Sequence, residues 1–339
     1  MDKNKNLTDF LLLNGYSLKN VGFYNGKAGI SLCLFEVSSY LQDEKIEEHA
    51  FELLQESLVL GERKKDITLS TGLSGIGFVL LYLIQNHFLD GDFEELFDEY
   101  LKIILSVLEQ QQSYQSTFIR YIHFLVPLYK LNQDEKVDNC IKKILQETEN
   151  YFEQQLNELT SDKSKLIKYQ FLNDWIDYLK IVSKNNLSVP SGLIESYCRL
   201  FEKNKFAGNF EIACYLHRFL NEKYTGEVEL LNRVIKENEK QALQNLQSAG
   251  QFLTLSERIN LLYLLNQNPD KYKKQIHSLE AGFFNQPDNS LFQKTILKGI
   301  PRNKFIPGYE HGVARFLLYS VYRELKKEGK KVARFDVLF

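Results

Sequence analysis

The chain has 339 residues, of which 44% are hydrophobic and 25% charged, with a formal net charge of −2. That balance is that of an ordinary globular protein and gives no excess of Lys and Arg for a nucleic acid or an anionic membrane. No run approaches the roughly 20 apolar residues of a membrane span, and the stretch Phe10–Leu13 behind Lys3 and Lys5 is too short for a secretory h-region, so the expected location is cytoplasmic.

From the N-terminus, the phrase Asn25-Gly26-Lys27-Ala28-Gly29-Ile30 runs straight into an apolar, helix-like segment. Behind it, Ile46, Ala50, Leu53, Leu54 and Leu58 fall on one helical face, with Glu47, Glu48, Glu52 and Glu56 elsewhere; this is an amphipathic helix. The phrase returns as Thr71-Gly72-Leu73-Ser74-Gly75-Ile76, and Ile76–Ile84 is apolar on all sides, as in a helix buried all round. Asp92 then stands as N-cap to a helix with Phe93, Leu96, Phe97, Tyr100, Leu101 and Ile104 on its inner face. Polar, turn-rich breaks follow at 110–116, 132–135, 184–191, 222–227 and 266–271. The longest irregular stretch, 285–307, contains Pro287, Pro301 and Pro307 and is a lid, a binding segment or a long wrap. The phrase comes back a last time as His311-Gly312-Val313-Ala314-Arg315-Phe316. The basic run Arg323, Lys326, Lys327, Lys330 and Lys331 reads as a solvated face. Cys33, Cys140, Cys198 and Cys214 lack CxxC spacing, sit in apolar helical patterns and read as reduced core thiols.

The first two copies lie 46 residues apart, and the 240 residues from Gly72 to Gly312 divide into five units of about 48, so seven slots are implied. Each unit is one buried helix and one amphipathic helix, and the chain is expected to be all-α and one domain, 1–339. Stacked in a row such hairpins make an open solenoid; closed, they make an α/α toroid. Period alone does not choose, although glycine at helix starts allows the close backbone approach that converging helix ends need.

The Gly-x-x-Gly-Ile phrase opening an apolar helix, in seven slots of about 48 residues, resembles the lanthionine synthetase C-like family, whose members fold as a double ring of helices. The resemblance implies an α/α toroid and a role in peptide modification of the lanthipeptide type. Aligned on the apolar residue four after the glycine, slots 3 and 4 place Phe118 and Leu172 where glycine belongs, slot 5 keeps Gly208, and slot 6 offers Ser256.

Active cyclases of that family hold a zinc ion that lowers the pKa of a substrate thiol. The family pattern puts a Cys before the slot-5 glycine and a Cys-His pair before that of slot 6; here those positions hold Phe206, Thr254 and Leu255, and no Cys-His dipeptide occurs in the chain. Zinc needs thiolate, imidazole or carboxylate ligands, so no metal is expected. The family's slot-4 histidine position holds Phe171. The resemblance then implies a zinc-free, atypical or inactive cyclase that binds a peptide or a partner enzyme.

In slot 7, Glu310 and His311 take the positions of the Cys-His pair. A carboxylate beside an imidazole is an acid–base pair, and an acid at a helix N-terminus is also favoured by the macrodipole alone. Tyr24, Asn25, Thr71, Asn209 and Arg315 are expected to line the same mouth as substrate-binding groups, with Arg315 suited to a carboxylate or phosphate. Two other readings stand beside this one: a divergent α/α-toroid enzyme using Glu310 and His311, and a purely structural helical repeat.

Overall fold

The computed structural model describes residues 3–64, 66–111, 117–161, 167–203, 206–220, 224–249, 255–281, 307–310 and 312–339. In chain order its helices are α1 (Lys3–Gly15), α2 (Lys27–Leu41), α3 (Glu44–Lys64), α4 (Leu73–Gln85), α5 (Phe93–Gln110), α6 (Ile122–Asn132), α7 (Glu135–Ser161), α8 (Tyr169–Lys184), α9 (Ser191–Glu202), α10 (Phe210–Phe219), α11 (Val228–Ala249), α12 (Leu255–Leu265), α13 (Lys273–Ala281) and α14 (Val313–Lys327). Short 3-10 turns at Phe118–Tyr121 and Ala333–Val337 complete the order. The described residues are all-α, the class expected from the sequence, and are built from the helical hairpins that an α/α toroid requires. The stretch 285–306 lies outside them.

The chain divides into two compact units, residues 1–111, 127–133 and 253–339, and residues 112–126 and 134–252. In the first unit three of the four slot helices pack on an amphipathic partner, α2 on α3, α4 on α5 and α12 on α13. The slot helices also pack on one another in the order α12, α14, α2, α4. The last slot thus lies against the first within this unit.

The two fully apolar helices are buried as their composition dictates, over Lys27–Ser38 in α2 and Leu73–Leu83 in α4. On α3, Ile46, Ala50, Leu53 and Leu54 face inward, and Asp92 caps α5 by accepting from the Glu94 amide at 2.7 Å. Leu96 departs from expectation and is exposed, because the buried stripe of α5 runs through Phe93, Phe97, Leu101, Ile104 and Leu108.

Gly26, Gly72 and Gly312 are the N-caps of α2, α4 and α14, with φ of −132°, −130° and −121°. None offers a side-chain cap, yet the first amides of a helix need acceptors. The preceding loop supplies them. Lys27, Ala28 and Gly29 donate to the carbonyls of Asn20, Val21 and Gly22 at 3.1, 3.1 and 3.4 Å; Leu73 and Ser74 donate to Asp66 and Ile67 at 2.7 and 3.3 Å; Ala314 donates to Pro307 at 3.3 Å. In every case the acceptor lies seven residues upstream, so the three copies are one backbone motif.

Adjacent loops also pair laterally, through Val21 N–H to Thr71 O (3.2 Å), Phe23 N–H to Leu69 O (3.0 Å) and Asn25 N–H to Ser70 O (3.1 Å). That approach leaves no room for side chains at the second motif glycines. A Cβ on Gly29 would sit 1.8 Å from Phe23 O, and one on Gly75 2.2 Å from Leu69 O and 2.3 Å from Phe23 N.

In the second unit, α8 packs on the Phe118–Tyr121 turn and on α10, α10 on α11, and α9 on α7 and α11. Its core is a run of rings: Phe152 to Trp175 at 5.0 Å, Trp175 to Tyr197 at 5.2 Å, Tyr197 to Phe206 at 4.8 Å and Phe206 to Phe171 at 6.2 Å. The slot alignment shifts here. Helix α8 starts at Tyr169, which puts Leu172 inside the helix, and α10 is capped by Asn209 instead of Gly208.

Gly75→Ala should destabilise the protein by about 2–4 kcal/mol, because rigid backbone meets the new methyl on two sides. Gly192→Ala, where nothing lies within 4 Å, should change stability by less than about 1 kcal/mol. Urea midpoints of the two variants check the contrast.

Candidate functional site

The N-terminal ends of α14, α2 and α4 meet in the first unit, and the structure brings Tyr24, Asn25, Thr71, Glu310 and Arg315 to that end. The Glu310 amide donates to Tyr24 O at 2.9 Å, which ties the loop before α14 to the loop before α2. The Asn25 side-chain amide donates to Glu310 Oε2 at 2.9 Å, so the carboxylate is held in a fixed direction. Around this pair stand aromatic rings, with Tyr24 stacked at 6.0 Å from Tyr309 and Phe23 at 4.3 Å from Tyr309 and 4.7 Å from Phe78. Tyr24, Asn25, Thr71 and Glu310 are half-buried. His311 lies outside the described residues.

Thr71 serves its own loop: its hydroxyl donates to Asp66 Oδ2 at 2.6 Å, while Asp66 Oδ1 accepts from the Thr68 amide at 2.9 Å. Arg315 is buried beneath the surface of this end, where its guanidinium donates to Asn260 Oδ1 and lies 5.0 Å from the Tyr309 ring and 5.9 Å from the Phe339 ring. Its hydrogen-bond partner within the chain is the Asn260 side-chain amide. Burial pushes the Tyr309 hydroxyl up to about 12, against a downward pull from Arg315. Asn209 belongs to the second unit. It caps α10 by accepting from the Glu211 and Ile212 amides at 2.8 and 3.2 Å, and its own amide donates to Asn238 Oδ1 at 3.0 Å.

The positions that would hold zinc lack its chemistry. Phe206 is a buried ring wedged between Tyr197 and Phe171. With Asn209 as the cap of α10, the equivalent position moves to Ala207, which has no donor either. Thr254 lies outside the described residues, and Leu255 opens α12. Among the described residues no group of three or more His, Cys, Asp and Glu is placed to hold a metal ion. An arene, a hydroxyl and an alkyl chain do not make a zinc site. Two of the cysteines are also poor thiolates: burial pushes Cys33 well up and Cys198 to about 12. Cys33 donates to Ala314 O at 3.3 Å, and Cys214 on α10 is half-buried.

The second unit holds polar groups that the sequence reading passed over. Arg120 grips Asp177 through Nε at 3.0 Å and Nη2 at 2.8 Å. Asp174 is buried one turn from it, and its Oδ1 accepts from Gln170 at 2.8 Å. Burial lifts the Asp174 carboxyl to about 6, with Asp177 adding to the rise and Gln170 and Arg120 opposing it. His123 is held well below the usual imidazole range by burial first and then by Lys180, Lys184 and Arg120. The available signal was an aspartate flanked on one helix face by Phe171, Trp175 and Tyr178, where an apolar residue fits the stripe.

Two outcomes follow. Asp174 keeps its proton in the folded state after the unfolded chain has released it, so its contribution is full below about pH 4 and is lost as pH rises through about 6. Urea midpoints should fall across that window by the equivalent of about 1–2 kcal/mol, and Asp174→Asn should flatten the fall. Phe206→Ala should cost about 3–4 kcal/mol of stability in the same assay, as for a ring removed from a packed core.

Residues 5–118 match the family model described as Lanthionine synthetase C-like protein. No curated protein matches the chain. The matched span contains both intact copies of the glycine motif and the helices α2 to α5 that they order. The match likens the first third of the chain, with its helical hairpins, to the lanthionine synthetase C-like family.

Proposed function

We propose that this chain is a cytoplasmic lanthionine synthetase C-like protein of peptide modification that works without the family's zinc, holding a peptide or a partner enzyme instead of closing thioether rings. The observation that carries this reading is the lack of a metal donor at the expected ligand position: Phe206 is a buried ring stacked with Tyr197 and Phe171, and Ala207, the equivalent position counted from the Asn209 cap, has no donor either. No rotation of such a side chain supplies a metal donor.

The peptide-facing surface in this reading is the end of the first unit where Tyr24, Asn25, Thr71 and Glu310 gather. It offers an oriented carboxylate beside stacked rings, a combination that binds an extended chain through its amide donors and apolar side chains. Asn209 and Arg315 support the loops and helices from within. No helix among the described residues is long and apolar enough to cross a membrane. The alternative enzyme reading assigns acid–base chemistry to Glu310 with His311, and loss of turnover in His311→Ala would select it.

Metal analysis of the purified protein should give far less than one zinc per chain, and a dehydrated, cysteine-containing peptide should keep its alkylatable thiol on incubation with it. Stoichiometric zinc would overturn the zinc-free reading. Glu310→Gln should weaken binding of the same peptide about tenfold, the usual cost of a lost charge-assisted hydrogen bond.

A further inference from the structure

Glu36, Tyr82 and Tyr322 each follow their slot glycine by ten residues and so occupy equivalent places on α2, α4 and α14. All three converge on the segment 332–339. Arg334 forks onto the fully buried Glu36, Nε to Oε1 and Nη2 to Oε2 both at 2.8 Å, and the Tyr82 hydroxyl donates to the same Oε1 at 2.5 Å. Phe335 lies 5.8 Å from Tyr322. Phe339 is boxed by Tyr263 of α12 at 4.9 Å and by Tyr319 and Tyr322 of α14, both at 6.0 Å. Tyr263 donates to the Asp336 carboxylate, and Tyr309 donates to Leu338 O. One short segment therefore touches all four slot helices of the first unit.

The segment is built like a bound peptide. Phe335, Leu338 and Phe339 are buried while Val337 is 42% exposed, an i, i+3, i+4 face on a single turn. Its amides bond within the turn, Phe335 to Val332 O at 3.0 Å, Leu338 to Phe335 O at 2.9 Å and Phe339 to Phe335 O at 3.2 Å. These amides are thus paired locally, and anchoring falls to side chains and to the Leu338 carbonyl that accepts from Tyr309. The segment is joined to α14 by a short exposed connection: α14 stops where Gly329, at φ +70°, donates to Lys326 O and Lys330 to Leu325 O, and Lys330 and Lys331 are exposed.

We propose that this face of α12, α14, α2 and α4 is a peptide-docking groove whose resident occupant is the chain's own segment 332–339. A peptide offering Arg-Phe followed, after two residues, by Leu-Phe competes for the groove. The guanidinium goes to Glu36 and the last aromatic ring to the Tyr263, Tyr319 and Tyr322 box. The groove is defined by contacts within the first unit and does not depend on the zinc-free, peptide- or partner-binding reading, which is tested separately.

The test uses the full chain and a fluorescein-labelled octapeptide, Val-Ala-Arg-Phe-Asp-Val-Leu-Phe. In the unaltered protein the tethered segment holds the groove at an effective concentration of about millimolar, and the free peptide binds poorly. In a Phe335→Ala, Phe339→Ala double variant the resident segment loses its anchors, and anisotropy should show at least about tenfold tighter peptide binding. Replacing the peptide's Arg by Met should weaken that binding at least about tenfold. Equal binding by the folded variant and the unaltered protein, or indifference to the peptide's Arg, overturns the proposal. Arg334→Lys, which keeps the charge but not the fork, gives a milder second variant. Amides of residues 335–339 should exchange at least about tenfold faster in it than in the unaltered protein, and unchanged protection overturns the proposal equally.

Discussion

The first unit depends on the contact of one loop backbone with the next. Leu69 O and Phe23 N–H form a hydrogen bond at the spot where a Gly75 side chain would stand, and Phe23 O fills the corresponding place beside Gly29. Everything else at that end follows from this spacing. The loops satisfy the first amides of α2, α4 and α14 with carbonyls seven residues upstream, so no side-chain cap is needed and the surface residues of the loops are released for other work. The third copy shows the rule by its exception. Arg315 stands where the second glycine belongs, and its side chain turns inward to Asn260 and Tyr309 instead of meeting a neighbouring loop.

The two units solve the burial of polar groups differently. In the first, a charge taken out of water is matched outright: Glu36 receives two bonds from Arg334 and one from Tyr82, the condition under which a buried carboxylate is tolerated. In the second, Asp174 is shielded within a field of rings and keeps its proton to about pH 6. Phe206 lies in the same aromatic field, with Tyr197 and Phe171 packed against it.

Much of the fold was readable because it rests on short-range pattern. The fully apolar runs of α2 and α4, the stripe of α3 and the cap at Asp92 are each set by residues within a turn or two of one another. The three glycine caps were placed correctly for the same reason. Slots 4 and 5 were misregistered by one to a few residues, since without glycine the helix start is decided by what packs on it: α8 begins at Tyr169 to bring Phe171 and Trp175 onto the ring cluster, and α10 begins after Asn209 because Asn238 and Gln241 of α11 hold the preceding amides.

The sequence by itself determined the all-α class, the hairpin unit, the motif glycines and the absence of zinc-type donors at the family's ligand positions, because each is a statement about residue identity and local spacing. Tertiary structure alone decided which groups meet. The Asn25–Glu310 bond, the burial of Arg315 under Tyr309 and the seating of residues 332–339 against Glu36, Tyr263 and Tyr322 join positions up to 298 residues apart. Such pairings depend on the packing of slot helices that only the folded chain brings side by side, and no local periodicity carries them.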